Sequence, residues 1–139
     1  MVQEVRDETG TARIAAELAA TLVQGDIVHL IGELGAGKTA FVRHAAAALG
    51  VTEPVTSPTF AIAHRYVGRD GQLVSHLDLY RSRGVTVEEL ADLEEYLDEA
   101  AIVFVEWPQV GAGVLPAPTV VVAIDDLGAG CRLFAIDRP

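Results

Sequence analysis

Apolar and polar positions follow two rhythms along this chain. Residues 2–5 read as a short strand. Ile27, Val28, Leu30 and Ile31 read as a buried one. Between them, Ile14, Ala15, Leu18, Ala19, Leu22 and Val23 recur at helical spacing after Glu8-Thr9-Gly10-Thr11, and Gly25 closes the helix. Phe41, Val42, Ala45, Ala46, Ala47 and Leu49 predict a second helix, capped by Gly50. Residues 60–67 and 72–79 alternate as strands around the turn signal Gly68-Arg69-Asp70-Gly71, a β-hairpin. Residues 84–100 predict a helix with Leu90, Leu93 and Leu97 on its apolar face. The other face is acidic: Glu88, Glu89, Asp92, Glu94, Glu95, Asp98 and Glu99. Ala101-Ile102-Val103-Phe104-Val105 is a second buried strand. Residues 119–124 and 131–136 are two more, joined by the turn Asp125-Asp126-Leu127-Gly128-Ala129-Gly130.

The stretch between the first buried strand and the second helix carries the chemistry. Gly32-Glu33-Leu34-Gly35-Ala36-Gly37-Lys38-Thr39 fits G-x-x-x-x-G-K-[ST], the phosphate-binding P-loop, in the strand–turn–helix context that motif needs. Gly32, Gly35 and Gly37 lack a Cβ, so the backbone can take positive φ and close around an anion. Successive N–H groups then form a nest backed by the positive end of the following helix. Lys38 is expected to reach the β- and γ-phosphates of ATP, and the Thr39 hydroxyl to bind Mg²⁺. Lys38 is also the only lysine of the chain. The expected architecture is a single α/β domain over residues 1–139, a P-loop NTPase-like three-layer sandwich. Its sheet is mainly parallel, with β-hairpin additions.

Three further places suggest themselves. Val105-Glu106-Trp107-Pro108 ends an apolar strand in a carboxylate, the Walker B arrangement, so Glu106 is expected to join Thr39 at the metal. Asp78 lies between Leu77 and Leu79, an unfavourable setting for a carboxylate without a partner. It either works on the metal's water or the attacking water, or caps the next element or pairs with Arg81 or Arg83. Residues 51–60 hold two prolines and several hydroxyls and read as a loop. There Thr56, Ser57 and Thr59 could serve phosphate, Mg²⁺ or water, or belong to an ordinary connection. Trp107 is read as a lid or partner contact, or as core. His29, His44, His64 and His76 are scattered without metal-ligand spacing.

Composition narrows the classes. The formal net charge is −10, against a protein that grips nucleic acid by itself, because such binding needs a basic face. The chain has one cysteine, Cys131, which excludes an intrachain disulfide and reads as packing. Residues 1–11 are acidic and polar, not a signal peptide, and no run reaches membrane-span length, so a cytoplasmic protein is expected. The acidic helix is either a solvated face or a docking surface for a basic partner. A small-molecule kinase would leave little room for lid and acceptor pocket. Guanine reading usually needs an Asn-Lys-x-Asp motif, and the chain contains no asparagine.

Taken together, the P-loop, Thr56-Ser57-Pro58-Thr59-Phe60, His76-Leu77-Asp78-Leu79-Tyr80-Arg81, Val105-Glu106-Trp107-Pro108 and Gly111-Ala112-Gly113-Val114-Leu115-Pro116 resemble the bacterial TsaE (YjeE) family, over nearly the whole chain. The resemblance implies a P-loop ATPase with Mg²⁺ on Thr39 and Glu106. It implies that Asp78 is needed for activity; Lys38 and Thr59 are the other catalytic candidates, and Trp107 and Tyr80 are candidate lid or partner contacts. ATP would lie along Gly32, Glu33, Leu34, Gly35, Ala36, Gly37, Lys38, Thr39 and Ala40, with adenine near Glu8 and Gly130. Ala40 is a departure, since many relatives carry a hydroxyl there; its backbone N–H remains, so weaker nucleotide binding is expected at most. The implied partners are the TsaD and TsaB proteins, which move a threonylcarbamoyl group onto the tRNA adenosine beside the anticodon. The chain would meet tRNA only through that complex, and its ATP cycle would support the transfer without performing it.

Overall fold

The computed structural model describes residues 1–55, 63–80 and 87–139. Among these residues, seven strands form one mixed sheet: β1 (Val2–Val5), β2 (Ile27–Ile31), β3 (Ala63–Val67), β4 (Leu73–Asp78), β5 (Ala101–Glu106), β6 (Val120–Gly128) and β7 (Cys131–Asp137). Their order is β1-β7-β6-β2-β5-β4-β3. The centre is parallel: β2 lies between β5 and β6, and β4 flanks β5. Hairpins β3–β4 and β6–β7, with β1 on β7, add the antiparallel edges. The helices are α1 (Glu8–Ala19), α2 (Lys38–Ala48) and α3 (Val87–Leu93).

Each β2 residue faces one side of the sheet in turn. Val28 and Leu30 point into the core under α1 and α2, with Ile14, Leu18, Phe41, Val42, Phe104, Val122 and Phe134. Burying so many large aliphatic and aromatic groups is the main force holding helices to sheet. A second cluster lies on the opposite face beneath α3, where Leu77, Leu79, Leu93, Val103 and Val105 are buried. This gives an α/β fold with a mostly parallel centre, as expected.

Several boundaries differ from the sequence pattern. Helix α1 starts at Glu8 itself, because the Asp7 side chain caps it by accepting from the Gly10 N–H at 3.0 Å. It ends at Ala19, so Val23 lies outside the stripe and is 64% exposed, while Leu22 is buried. Helix α3 stops at Leu93 rather than running to residue 100. Beyond it, Glu94 would stack on Asp98 and Glu95 on Glu99, like charges at i,i+4 that disfavour helix. Asp98 instead accepts from the Ala100 N–H at 2.8 Å and turns the chain into β5. Strand β6 runs on to Gly128, past the residues expected to turn, and the hairpin closes at Ala129 and Gly130.

Candidate nucleotide site

The glycine-rich loop leaves the C-terminal end of β2 and enters α2 at Lys38. Gly35 and Gly37 take φ of +81° and +103°, the left-handed region that side chains resist. Gly32 is different. A Cβ there would stand 2.7 Å from the Ile124 carbonyl oxygen, so this glycine serves close approach to β6 rather than positive φ. Arg132 of β7 also holds the loop, donating from Nε to the Ala36 carbonyl at 2.9 Å. Asp126 steadies that guanidinium at 3.0 Å.

Lys38 is buried and bends back over its own loop. Its Nζ donates to the carbonyls of Gly32 at 2.5 Å and Glu33 at 2.9 Å. The same ammonium sits 4.2 Å from the centre of the Trp107 ring, a cation–π contact. Burial lowers the Lys38 amine from its ordinary value, and the carboxylates of Glu106, Asp78 and Glu33 oppose that shift.

Thr39 and Glu106 meet beneath the loop. The Thr39 hydroxyl donates to the Glu106 carboxylate, 2.9 Å from Oε2 and 3.1 Å from Oε1. From β4, His76 Nε2 lies 2.5 Å from Oε2. Register explains the meeting, since Asp78 stands opposite Glu106 and His76 opposite Phe104 across the β4–β5 pair. His76 is fully buried and Glu106 nearly so. A buried carboxyl group needs hydrogen-bond partners, and this one has the Thr39 hydroxyl and the His76 imidazole.

Asp78 reaches the same cleft from the end of β4. Its Oδ1 accepts from the Tyr80 N–H at 3.1 Å, so it does cap the turn that follows. Burial raises its carboxyl above the ordinary value. The Tyr80 N–H pulls it back, and the Glu106 charge pushes it further up. The Tyr80 and Trp107 rings pack at 4.9 Å between centres. Trp107 takes φ +58°, unusual for a bulky residue and held here by its neighbours.

Two recesses adjoin along the start of α2. One, of 220 Å³, is lined by Leu34, Gly35, Gly37, Lys38, Thr39, Ala40, Asp78, Tyr80, Glu106 and Trp107. The other, of 500 Å³, has Glu8, Ala36, Arg43 and Gly130 among its walls and shares Gly37 and Ala40 with the first. Only as a continuous pair do they suit a ligand with a compact anionic end and a bulkier body. Glu8 is tied to α2 through Arg43 at 3.1 Å and His44 at 3.0 Å, and these hydrogen bonds, that of His44 first, lower its carboxyl.

The expected residues from 32 to 40, with Asp78, Tyr80, Glu106 and Trp107, therefore converge at the carboxyl ends of β2, β4 and β5. Glu8 and Gly130 stand in the adjoining recess. Thr56, Ser57, Thr59, Arg81 and Arg83 lie outside the described residues. Two participants had no partner legible in the sequence: His76, which reads as a lone histidine, and Arg132, 96 residues from the carbonyl it holds. Cys131 is partly exposed rather than packed away.

The oxygen donors present suit a hard cation such as Mg²⁺, which takes one or two protein ligands and completes its shell with phosphate and water. Among the described residues, no group of three His, Cys, Asp or Glu could enclose a metal without such help.

A parallel strand feeding a glycine-rich loop, a helix opening with Lys and Thr, and a carboxylate on the adjacent strand define an α/β protein of the P-loop NTPase-like fold. Comparison with known proteins gives the particular family. The family model described as "Threonylcarbamoyl adenosine biosynthesis protein TsaE" matches residues 5–132, and the chain belongs to the TsaE family. The tRNA threonylcarbamoyladenosine biosynthesis protein TsaE of Treponema pallidum is 36% identical over 139 residues, covering 94% of this chain and 96% of the relative. That of Bacillus subtilis is 39% identical over 119 residues, covering 85% and 73%. The crystal structure of Bacillus subtilis YdiB superposes with a TM-score of 0.80 at 30% identity, covering 99% of this chain and 84% of that one. The chain is thus of a family that serves tRNA threonylcarbamoyladenosine biosynthesis. None of its described helices is long and apolar enough to cross a membrane.

Proposed function

We propose that this protein is a Mg²⁺-dependent ATPase that supports a TsaB–TsaD complex in forming threonylcarbamoyladenosine in tRNA, acting in the cytoplasm. The observation that carries this reading is the meeting of Thr39, Glu106 and Lys38 beneath one glycine-rich loop. The loop N–H groups and the start of α2 would receive the β- and γ-phosphates, with Lys38 turning from its carbonyls to the incoming charge. Thr39 and Glu106 would hold Mg²⁺, which when bound neutralises developing phosphate charge. Asp78 lines that cleft, where a raised carboxyl can position water or take up a proton. Trp107 and Tyr80 close the cleft laterally, and Glu8 and Gly130 flank the recess offered to adenine. Thr59 keeps its expected catalytic role on sequence grounds. A weak reaction in isolation fits a small site that partners complete.

Calorimetric titration with ATP tests the reading. The unaltered chain is expected to bind in the presence of Mg²⁺, and Lys38→Ala to lose that binding. Equal affinity in both would remove the loop from the account.

A further inference from the structure

The sheet face turned away from α1 and α2 is covered over only half its width. Beneath α3 its residues on β4 and β5 are buried. Ile27 at the start of β2 packs against that cluster too, while Ile31 and the outward residues of β6, β7 and β1 are half-buried or exposed. Cross-strand register sets them in rows. Val2, Ala135, Ala123 and Ile31 stand side by side across four strands. Glu4, Leu133 and Asp125 form the next row, and His29, Val121 and Asp137 form the row on the other side. Val2 is 70% and Ile31 43% exposed. Val121, Ala123, Leu133 and Ala135 are half-buried. The intervening residues Val5, Leu30, Val122, Ile124 and Phe134 are all buried on the helix side.

A solvated sheet face ordinarily alternates polar residues outward. Here the outward centre is Val, Ala, Ile and Leu, and a contiguous apolar patch rimmed by charge marks a place of contact. The rim decides what kind. Glu4, Asp125 and Asp137 are exposed carboxylates, and these rows hold no lysine or arginine. A second copy would set the same carboxylates against themselves, because a two-fold interface uses one patch twice. A basic rim is attracted instead. Ala123 and Ala135 are the smallest side chains of the central row, so an aliphatic or aromatic side chain can seat between Val2 and Ile31.

We propose that this open half-face docks a partner protein whose contact surface has an apolar centre ringed by lysine and arginine. It deepens, and rests on, the reading that the chain works within a complex. The probe is a purified TsaD–TsaB pair, with affinity measured for the unaltered chain, Ala123→Arg, Ala135→Arg and the remote exposed variant Val23→Arg. The two alanine variants are expected to bind at least about tenfold more weakly. Val23→Arg is expected to bind like the unaltered chain, whose affinity falls as salt is raised. Asp125→Arg, at an exposed position, carries the same test where an alanine variant melts early. Unchanged affinity in these variants would overturn the docking face while leaving the partner reading in place. No binding by the unaltered chain would overturn both. A dimer of the unaltered chain that Ala123→Arg dissociates would overturn the choice of occupant.

Discussion

His76 Nε2 and Glu106 Oε2 lie 2.5 Å apart, buried between neighbouring strands, with the Thr39 hydroxyl on the same carboxylate from above. The carboxylate is therefore oriented before any ligand arrives. Pairing through Nε2 leaves His76 Nδ1 without a hydrogen-bond partner.

Removing the lower donor has two expected consequences. His76→Leu should lower stability by about 1–3 kcal/mol, the cost of leaving a buried carboxylate short of a donor. It should also blunt the Mg²⁺ dependence of ATP binding, since Glu106 is no longer held. His76→Gln, which keeps an N–H donor, should recover part of both. Urea melts and Mg²⁺ titrations decide, and a leucine variant equal to the parent in both would reduce His76 to filler.

Asp78 gives a prediction with a pH signature. Burial raises its carboxyl in the folded chain, so folding binds its proton more readily than the unfolded chain does. Its contribution is favourable at acid pH and is lost as pH rises through the raised value, leaving a half-buried charge at neutrality. Asp78→Asn should therefore melt higher than the parent at pH 7, with the gap closing as pH falls into the carboxylate range. The same variant should bind ATP and lose turnover. A constant gap at every pH, or normal hydrolysis, would count against the assignment.

Gly32 tests the loop's seating. Gly32→Ala would drive a Cβ to within 2.7 Å of a β6 carbonyl oxygen, backbone that cannot swing aside. A loss of about 1–3 kcal/mol is expected from such overpacking, with weakened ATP binding. Unchanged melting and affinity would show that the loop stands off β6 in solution.

Trp107 reports on Lys38, and it is the only tryptophan. If phosphate draws the ammonium from its place 4.2 Å from the ring centre, ATP should change the fluorescence of the parent. Lys38→Ala, already lacking the cation, should show the altered emission without ATP and no response to it. A response of equal size in the variant would separate the two residues.

The fold was legible where its determinants are local. The strand, the glycine-rich turn and the helix behind it occupy one continuous stretch, and period-two and period-3.6 patterns name the rest. Glu106 could be found because an apolar strand ending in an acid is itself a signal. His76 could not, because its partner is set by the β4–β5 register. The contact of Arg132 with the Ala36 carbonyl, and the close approach of Gly32 to β6, were hidden for the same reason, since each joins parts of the chain far apart in sequence. The third helix was overread because its leucine spacing continues past Leu93, while stacked like charges and the Asp98 cap do not let the helix follow.

The most direct measurement is ATP hydrolysis by the purified protein, alone and with TsaD and TsaB, using Lys38→Ala as the blank. The account predicts slow Mg²⁺-dependent turnover alone, clear stimulation by the pair, and none of either in the variant. ATP binding with no stimulation, and no complex on a sizing column, would contradict it.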